Sequence, residues 1–170
     1  GHGEVGVRAD DAHLVRILQP CDQLVVLLLH LAPGLHRIVA VKDARGDLWL
    51  AGELMQATGL DWYSGDDAMN LAHFANGAVG FVGVTSQVAP AAYRDLADAV
   101  VDGRFDDARA IHRRLAPIVD AVMNVTQGAI MAKAALALQG LISTAAVRLP
   151  LIEADAEQKA LLRAALDTVD

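Results

Sequence analysis

The sequence predicts an α/β fold in which parallel strand–helix units are followed by a helical C-terminal region. Three observations predict it. Short runs rich in Val and Ile alternate with longer stretches of helical spacing from Ile38 to about Asp102. Each longer stretch opens on Asp or Pro and closes on Gly: Asp47 to Gly59, Asp66 or Asp67 to Gly77, and Pro90 to Gly103. Beyond Gly103 the apolar residues recur only at helical spacing.

The first 34 residues carry the least pattern. Asp11–Leu18 suits a helical turn or two. In Asp22–Ala32, Val25 and Val26 suit a strand, while Leu28, Leu31 and Leu35 keep helical spacing, and the reading leans to helix. The first strand covers Ile38–Lys42, whose apolar IVAV run reads as buried on both faces. A helix follows over about Asp47–Thr58. The second strand covers Asp61–Ser64, and its helix runs from Asp66 or Asp67 to about Asn76. The third strand covers Val79–Thr85, and its helix runs over Pro90–Asp102. Three more helices follow at Phe105–Met123, Ala129–Leu141 and Ala154–Val169. Pro117 marks a kink or break in the first of them.

Composition narrows the function classes. The 170 residues suffice for one domain with a core, and an apolar fraction of 54% marks a globular chain. Aromatics are only 4%, so Ala, Val and Leu must build that core. A net charge of -7 argues against nucleic-acid binding. The apolar run Leu24–Ala32 is too short to span a bilayer. One cysteine, Cys21, excludes an internal disulfide framework and a cysteine-rich zinc site. A cytoplasmic protein with no metal, no cofactor, no nucleic-acid partner and no membrane partner is expected. The six histidines form no i, i+4 pair, and His73 reads as packed or solvated.

Lys42 is the candidate for chemistry. At the end of a buried strand its amine would lie against a low-dielectric interior, which disfavours the ammonium and lowers the pKa. A neutral lysine amine attacks a ketone and forms a Schiff base. The plainer reading is a strand-end lysine whose head reaches water. Ile38–Ala44 alone favours that plainer reading, and the segments that follow reverse the preference.

Four segments in order carry a resemblance: IVAVKDARGDL, YSGDDAMNL, GAVGFVGVTSQVAP and VRLPL. From Leu35 onward the chain resembles the C-terminal half of the dihydrodipicolinate synthase family of pyruvate-dependent class I aldolases, which also includes N-acetylneuraminate lyase. The resemblance implies the last three strand–helix units of a (β/α)8 TIM barrel, followed by a three-helix C-terminal region. It divides the chain into an N-terminal segment 1–34 outside the family pattern, a partial barrel 35–103 and a helical region 104–170. It implies Lys42 as the Schiff-base nucleophile for pyruvate, with a small aldehyde, aspartate semialdehyde in the synthase, as second substrate. Gly65, Asp66 and Asp67 would line the aldehyde side. Asp66 and Asp67 serve equally well as helix N-caps, and Gly65 as a loop glycine of positive φ. Val82 would stand where the family places a backbone carbonyl near the nucleophile. Gly77, Gly80 and Gly83 would permit close packing.

Other family features have no match in the sequence. The resemblance implies a paired threonine motif for the pyruvate carboxylate, a proton-shuttling tyrosine and a Tyr-x-x-Pro-x-Arg-Thr pattern. Tyr63 and Tyr93, the two tyrosines, do not match the shuttle position. The chain is therefore expected to be a fragment of a lyase in lysine biosynthesis, weak or inactive alone. The alternative is a natural half-barrel remnant that acts through self-association or keto-acid binding. A homo-oligomer or a complementing barrel half is the expected macromolecular partner.

Overall fold

The computed structural model describes residues 39–169. The readings for Asp11–Leu18 and Asp22–Ala32 lie outside the described residues. Strand β1 (Ala40–Asp43) leads to helix α1 (Leu48–Thr58), strand β2 (Asp61–Ser64), helix α2 (Asn70–Ala75) and strand β3 (Gly80–Phe81). Helices α3 (Pro90–Val101), α4 (Phe105–Met123), α5 (Gly128–Leu138) and α6 (Ala156–Leu166) complete the chain. The strands form one parallel sheet in the order β1-β2-β3. Successive parallel neighbours joined by helices are consistent with a partial α/β barrel.

The caps explain where the elements start and stop. The Asp47 carboxylate accepts the Leu50 N–H at 3.0 Å and opens α1. Gly59 closes it at φ 62°, a left-handed conformation that glycine adopts without a Cβ penalty. Asp66 caps a short 3₁₀ turn, Asp67–Met69, that precedes α2. Asp155 and Gln158 form a capping box at α6, each side chain accepting from the other's backbone N–H.

Three sequence expectations are corrected. The first strand begins at Ala40 and is not buried on both faces: Val41 is half-buried and Lys42 is exposed. Only one side of the sheet has a helical layer among the described residues. The third strand is Gly80–Phe81 rather than Val79–Thr85, because the Asp67 carboxylate takes the Val84 and Thr85 N–H groups and Thr85–Gln87 closes as a 3₁₀ turn. Helix α4 runs unbroken through Pro117. Pro117 and Arg113 are both exposed, so the carbonyl that proline leaves unpaired four residues back can be hydrated.

Strand alternation sorts side chains onto two faces. Val41 and Trp62 pack with Leu50 and Leu54 of α1, and Phe81 packs toward the helical core. The opposite parity, Lys42, Tyr63 and Gly80, lies in register across the sheet. The main core lies between α3, α4, α5 and α6, with Leu96, Leu115, Ile118, Val122, Met131 and Leu162 fully buried. Among the described residues no single helix is long and apolar enough to cross a membrane.

Among the described residues β1 and β3 are the sheet's two edges, and the Lys42–Tyr63 face has no opposing wall. Unpaired strand edges invite pairing with another chain. Sedimentation at micromolar concentration is expected to show self-association, and a monodisperse monomer would contradict it.

Candidate active site

Lys42 is the penultimate residue of β1, on the face away from the helices. Its stem crosses the turn after β2. A Cβ on Gly65 would stand 2.6 Å from Lys42 Cε and 3.0 Å from Ala44 Cβ, so only glycine leaves the lysine its place. The Gly65 N–H also donates to the Asp43 carbonyl at 2.7 Å, tying the two strand ends together. Beside Lys42 in register, the Tyr63 ring covers Gly80, where an added Cβ would come within 2.9 Å of it. The Lys42 side chain is exposed and makes no hydrogen bond or ion pair with another described residue. The low-dielectric surroundings expected from the IVAV run are therefore not supplied by residues 39–169.

Asp66 and Asp67 diverge. The Asp66 carboxylate accepts the Ala68 N–H at 3.0 Å, and its carbonyl accepts from Ser64 Oγ, also at 3.0 Å. Asp67 is turned inward and is 3% exposed. Its Oδ2 accepts the N–H groups of Val84 at 2.9 Å and Thr85 at 3.0 Å, while Oδ1 lies so close to Gly83 that an added Cβ would meet it at 1.8 Å. Val82 is half exposed, and its N–H donates to the Ser64 carbonyl at 2.8 Å, extending the β2–β3 ladder. The structure thus brings Lys42 to Gly65, and Asp67 to the segment just after Val82. It forms no hydrogen bond or ion pair between Lys42 and either aspartate.

Sequence reasoning missed a group of buried polar residues behind the sheet. Asp43 is 3% exposed and is gripped by Arg45, whose Nε and guanidinium N–H donate to Oδ1 at 2.9 Å and to Oδ2 at 2.8 Å. The Arg45 backbone N–H adds a third bond at 3.0 Å. Burial alone would raise the Asp43 pKa. The Arg45 hydrogen bonds and charge, with a smaller contribution from His73, outweigh it and hold the carboxyl below its ordinary 3.8. The signal was present: Asp43 follows Lys42, so alternation places it on the helix side once the strand extends one residue further. Asn70 and His73, three apart on α2, are also buried, which settles His73 as packed rather than solvated. Thr85 Oγ1 and the Tyr93 hydroxyl are hydrogen-bonded to each other. Burial, reinforced by the charge of Asp67 and opposed by the Thr85 bond, holds the Tyr93 phenol above its usual range. No group of three or more His, Cys, Asp or Glu among the described residues could hold a metal ion.

The Asp43–Arg45 pair sets a pH window. A depressed folded-state pKa gives stability that is complete above about pH 4 and lost as pH falls through the folded value. Arg45→Met should cost about 1–3 kcal/mol at neutral pH and flatten the acid limb of stability, measured by urea unfolding at a series of pH values. An unchanged acid limb would show that Arg45 does not hold the carboxylate.

Comparison with known proteins gives one consistent result. The sequence profile of the Dihydrodipicolinate synthetase family matches residues 22–169, beginning ahead of Leu35, where the resemblance read from the sequence begins. The 4-hydroxy-tetrahydrodipicolinate synthase of Kineococcus radiotolerans is 50% identical over 130 residues, 76% of this chain and 42% of that protein. That of Corynebacterium aurimucosum is 47% identical over 127 residues, 74% and 41% of the two chains. The crystal structure of a Bacillus anthracis dihydrodipicolinate synthase superposes with a TM-score of 0.79 at 31% identity, covering 91% of this chain and 51% of that one. A Cyanidioschyzon merolae synthase solved with lysine bound gives 0.77 at 33% identity, covering 83% and 48%. The chain spans about two-fifths of the length of the curated relatives it matches.

Proposed function

The chain belongs to the Dihydrodipicolinate synthetase family, and from that premise we propose that it is the lysine-bearing part of a pyruvate-dependent class I lyase. The observation that carries the proposal is the placement of Lys42. It lies at the C-terminal end of a parallel strand, where barrel enzymes gather their catalytic groups, on the sheet face that no helix covers among the described residues and with its stem seated over Gly65. The Lys42 amine attacks the ketone of pyruvate, and loss of water leaves an iminium. The iminium withdraws electrons from the neighbouring methyl group. A proton leaves that carbon, and the resulting enamine attacks the carbonyl carbon of an aldehyde. Aspartate semialdehyde is the aldehyde proposed, in the first committed direction of lysine biosynthesis.

The remaining candidates take graded roles in this reading. Gly65 leaves space for the lysine stem and the aldehyde's polar end. Asp66, half-buried at the turn, borders that side. Val82 contributes its backbone beside the imine, its side chain being half exposed on the same end of the sheet. Tyr63, in register with Lys42, borders the site as well. The carboxylate clamp and the proton-shuttling tyrosine belong to sequence patterns that this chain does not contain, and general acid–base help of that kind contributes about 10²–10⁴-fold. Imine formation is therefore expected here, with no measurable condensation by this chain alone.

A second reading has its own observation. The sheet face, without an opposing wall among the described residues, also suits a half-barrel remnant that self-associates or binds a keto acid without turnover. Borohydride reduction in the presence of pyruvate separates the two. The proposal expects slow trapping of a carboxyethyl adduct on Lys42, located by mass spectrometry of the digest, with Lys133 and Lys159 unlabelled and Lys42→Ala without adduct. Equal labelling of all three lysines would contradict it.

A further inference from the structure

We infer that Asp67 is a positioning residue for the Lys42 site, anchoring the chain after β3 to the end of β2, and is not a ligand for the aldehyde. The functional half of this inference rests on the Schiff-base reading of Lys42.

One carboxylate oxygen is committed to backbone, and the other, Oδ1, is buried without a hydrogen-bond partner among the described residues. Asp67 is 3% exposed, and its Oδ2 is spent on two backbone N–H groups, those of Val84 and Thr85, seventeen and eighteen residues further along the chain. A carboxylate accepting two amide N–H groups makes charge-assisted bonds, stronger than those between neutral partners. Gly83 is wrapped against the other oxygen at a separation that admits no Cβ. Behind this contact, Thr85 is locked to the Tyr93 hydroxyl on α3. In front of it, Val82 is held to Ser64 by a 2.8 Å backbone bond. The segment Val82–Thr85 is thus fixed at both ends and in the middle. Its sheet pairing ends at Phe81 and Val82 because the next N–H groups turn to Asp67. Asp66, one residue earlier, faces outward and caps the following turn. The adjacent aspartates therefore divide the work: Asp66 caps the turn after β2, and Asp67 holds the backbone that leaves β3.

Replacement by asparagine keeps an acceptor for both amides, while alanine removes it. Pyruvate trapping on Lys42 and amide hydrogen exchange, both resolved by residue, are measured on the full chain and on its Asp67→Asn and Asp67→Ala variants. Asp67→Ala is expected to speed exchange at Val84 and Thr85 at least tenfold while the amides of α4 and α6 keep their protection. It should lower the trapping rate by a similar factor. Asp67→Asn is expected to stay within about threefold on both readouts, a rescue that a ligand role for the charge would not give. Two results would overturn the inference. One is Asp67→Asn losing trapping as fully as Asp67→Ala with both amides still protected. The other is Asp67→Ala loosening the amides while trapping stays unchanged. If the unsubstituted chain forms no adduct, the Schiff-base reading fails with it, whereas unchanged exchange at Val84 and Thr85 in Asp67→Ala would sink the anchoring itself.

Discussion

The two-residue period of the strands forces each of them to serve two surroundings at once, and everything else in the described structure follows from how those surroundings differ. Val41, Trp62 and Phe81 turn toward helices and are buried or half-buried there. Lys42, Tyr63 and Gly80 take the other parity and form a row across the sheet. A one-residue slip of register would exchange the two sets and place a lysine among Leu50, Leu54 and Trp62. Burial of Trp62, at 1% exposure, thus fixes the direction in which Lys42 points.

Precision at the strand ends comes from close approach. Gly65, Gly80 and Gly83 are positions where a methyl group would collide, with the lysine stem, the Tyr63 ring and a buried carboxylate in turn. At each, the absent side chain lets a neighbouring group lie directly against backbone. The helical region adds a rigid support, because α4 packs against α3, α5 and α6 and also reaches the turn that carries Asp67.

Much of this was legible in the sequence, for reasons that particular residues make plain. Asp47, Gly59, Pro90 and Asp155 are local signals whose physics needs no tertiary context, and the helices they bound stand where expected. The second strand, Asp61–Ser64, matches residue for residue. The resemblance carried by the SGDD and GAVGFVGV segments agrees with the family match over residues 22–169. What could not be read was set by contacts distant in sequence. The third strand is short because a side chain seventeen residues upstream competes for its N–H groups. The IVAV run looked buried on both faces because apolar composition does not say how many walls a sheet has. Asp43 and Asn70 drew no reading from the sequence, since buried polar groups give no periodic signal until their partners are known.

Complementation tests the proposal most directly: that Lys42, on a sheet face without an opposing wall among the described residues, acts with groups supplied by another part of a barrel. The first half of the Kineococcus radiotolerans relative, ending before its lysine strand, would be co-expressed with this chain and the purified mixture assayed for condensation of pyruvate with aspartate semialdehyde. The account predicts a stable complex whose activity vanishes with Lys42→Ala. A stable, well-folded complex without activity, or with activity indifferent to Lys42→Ala, would contradict it.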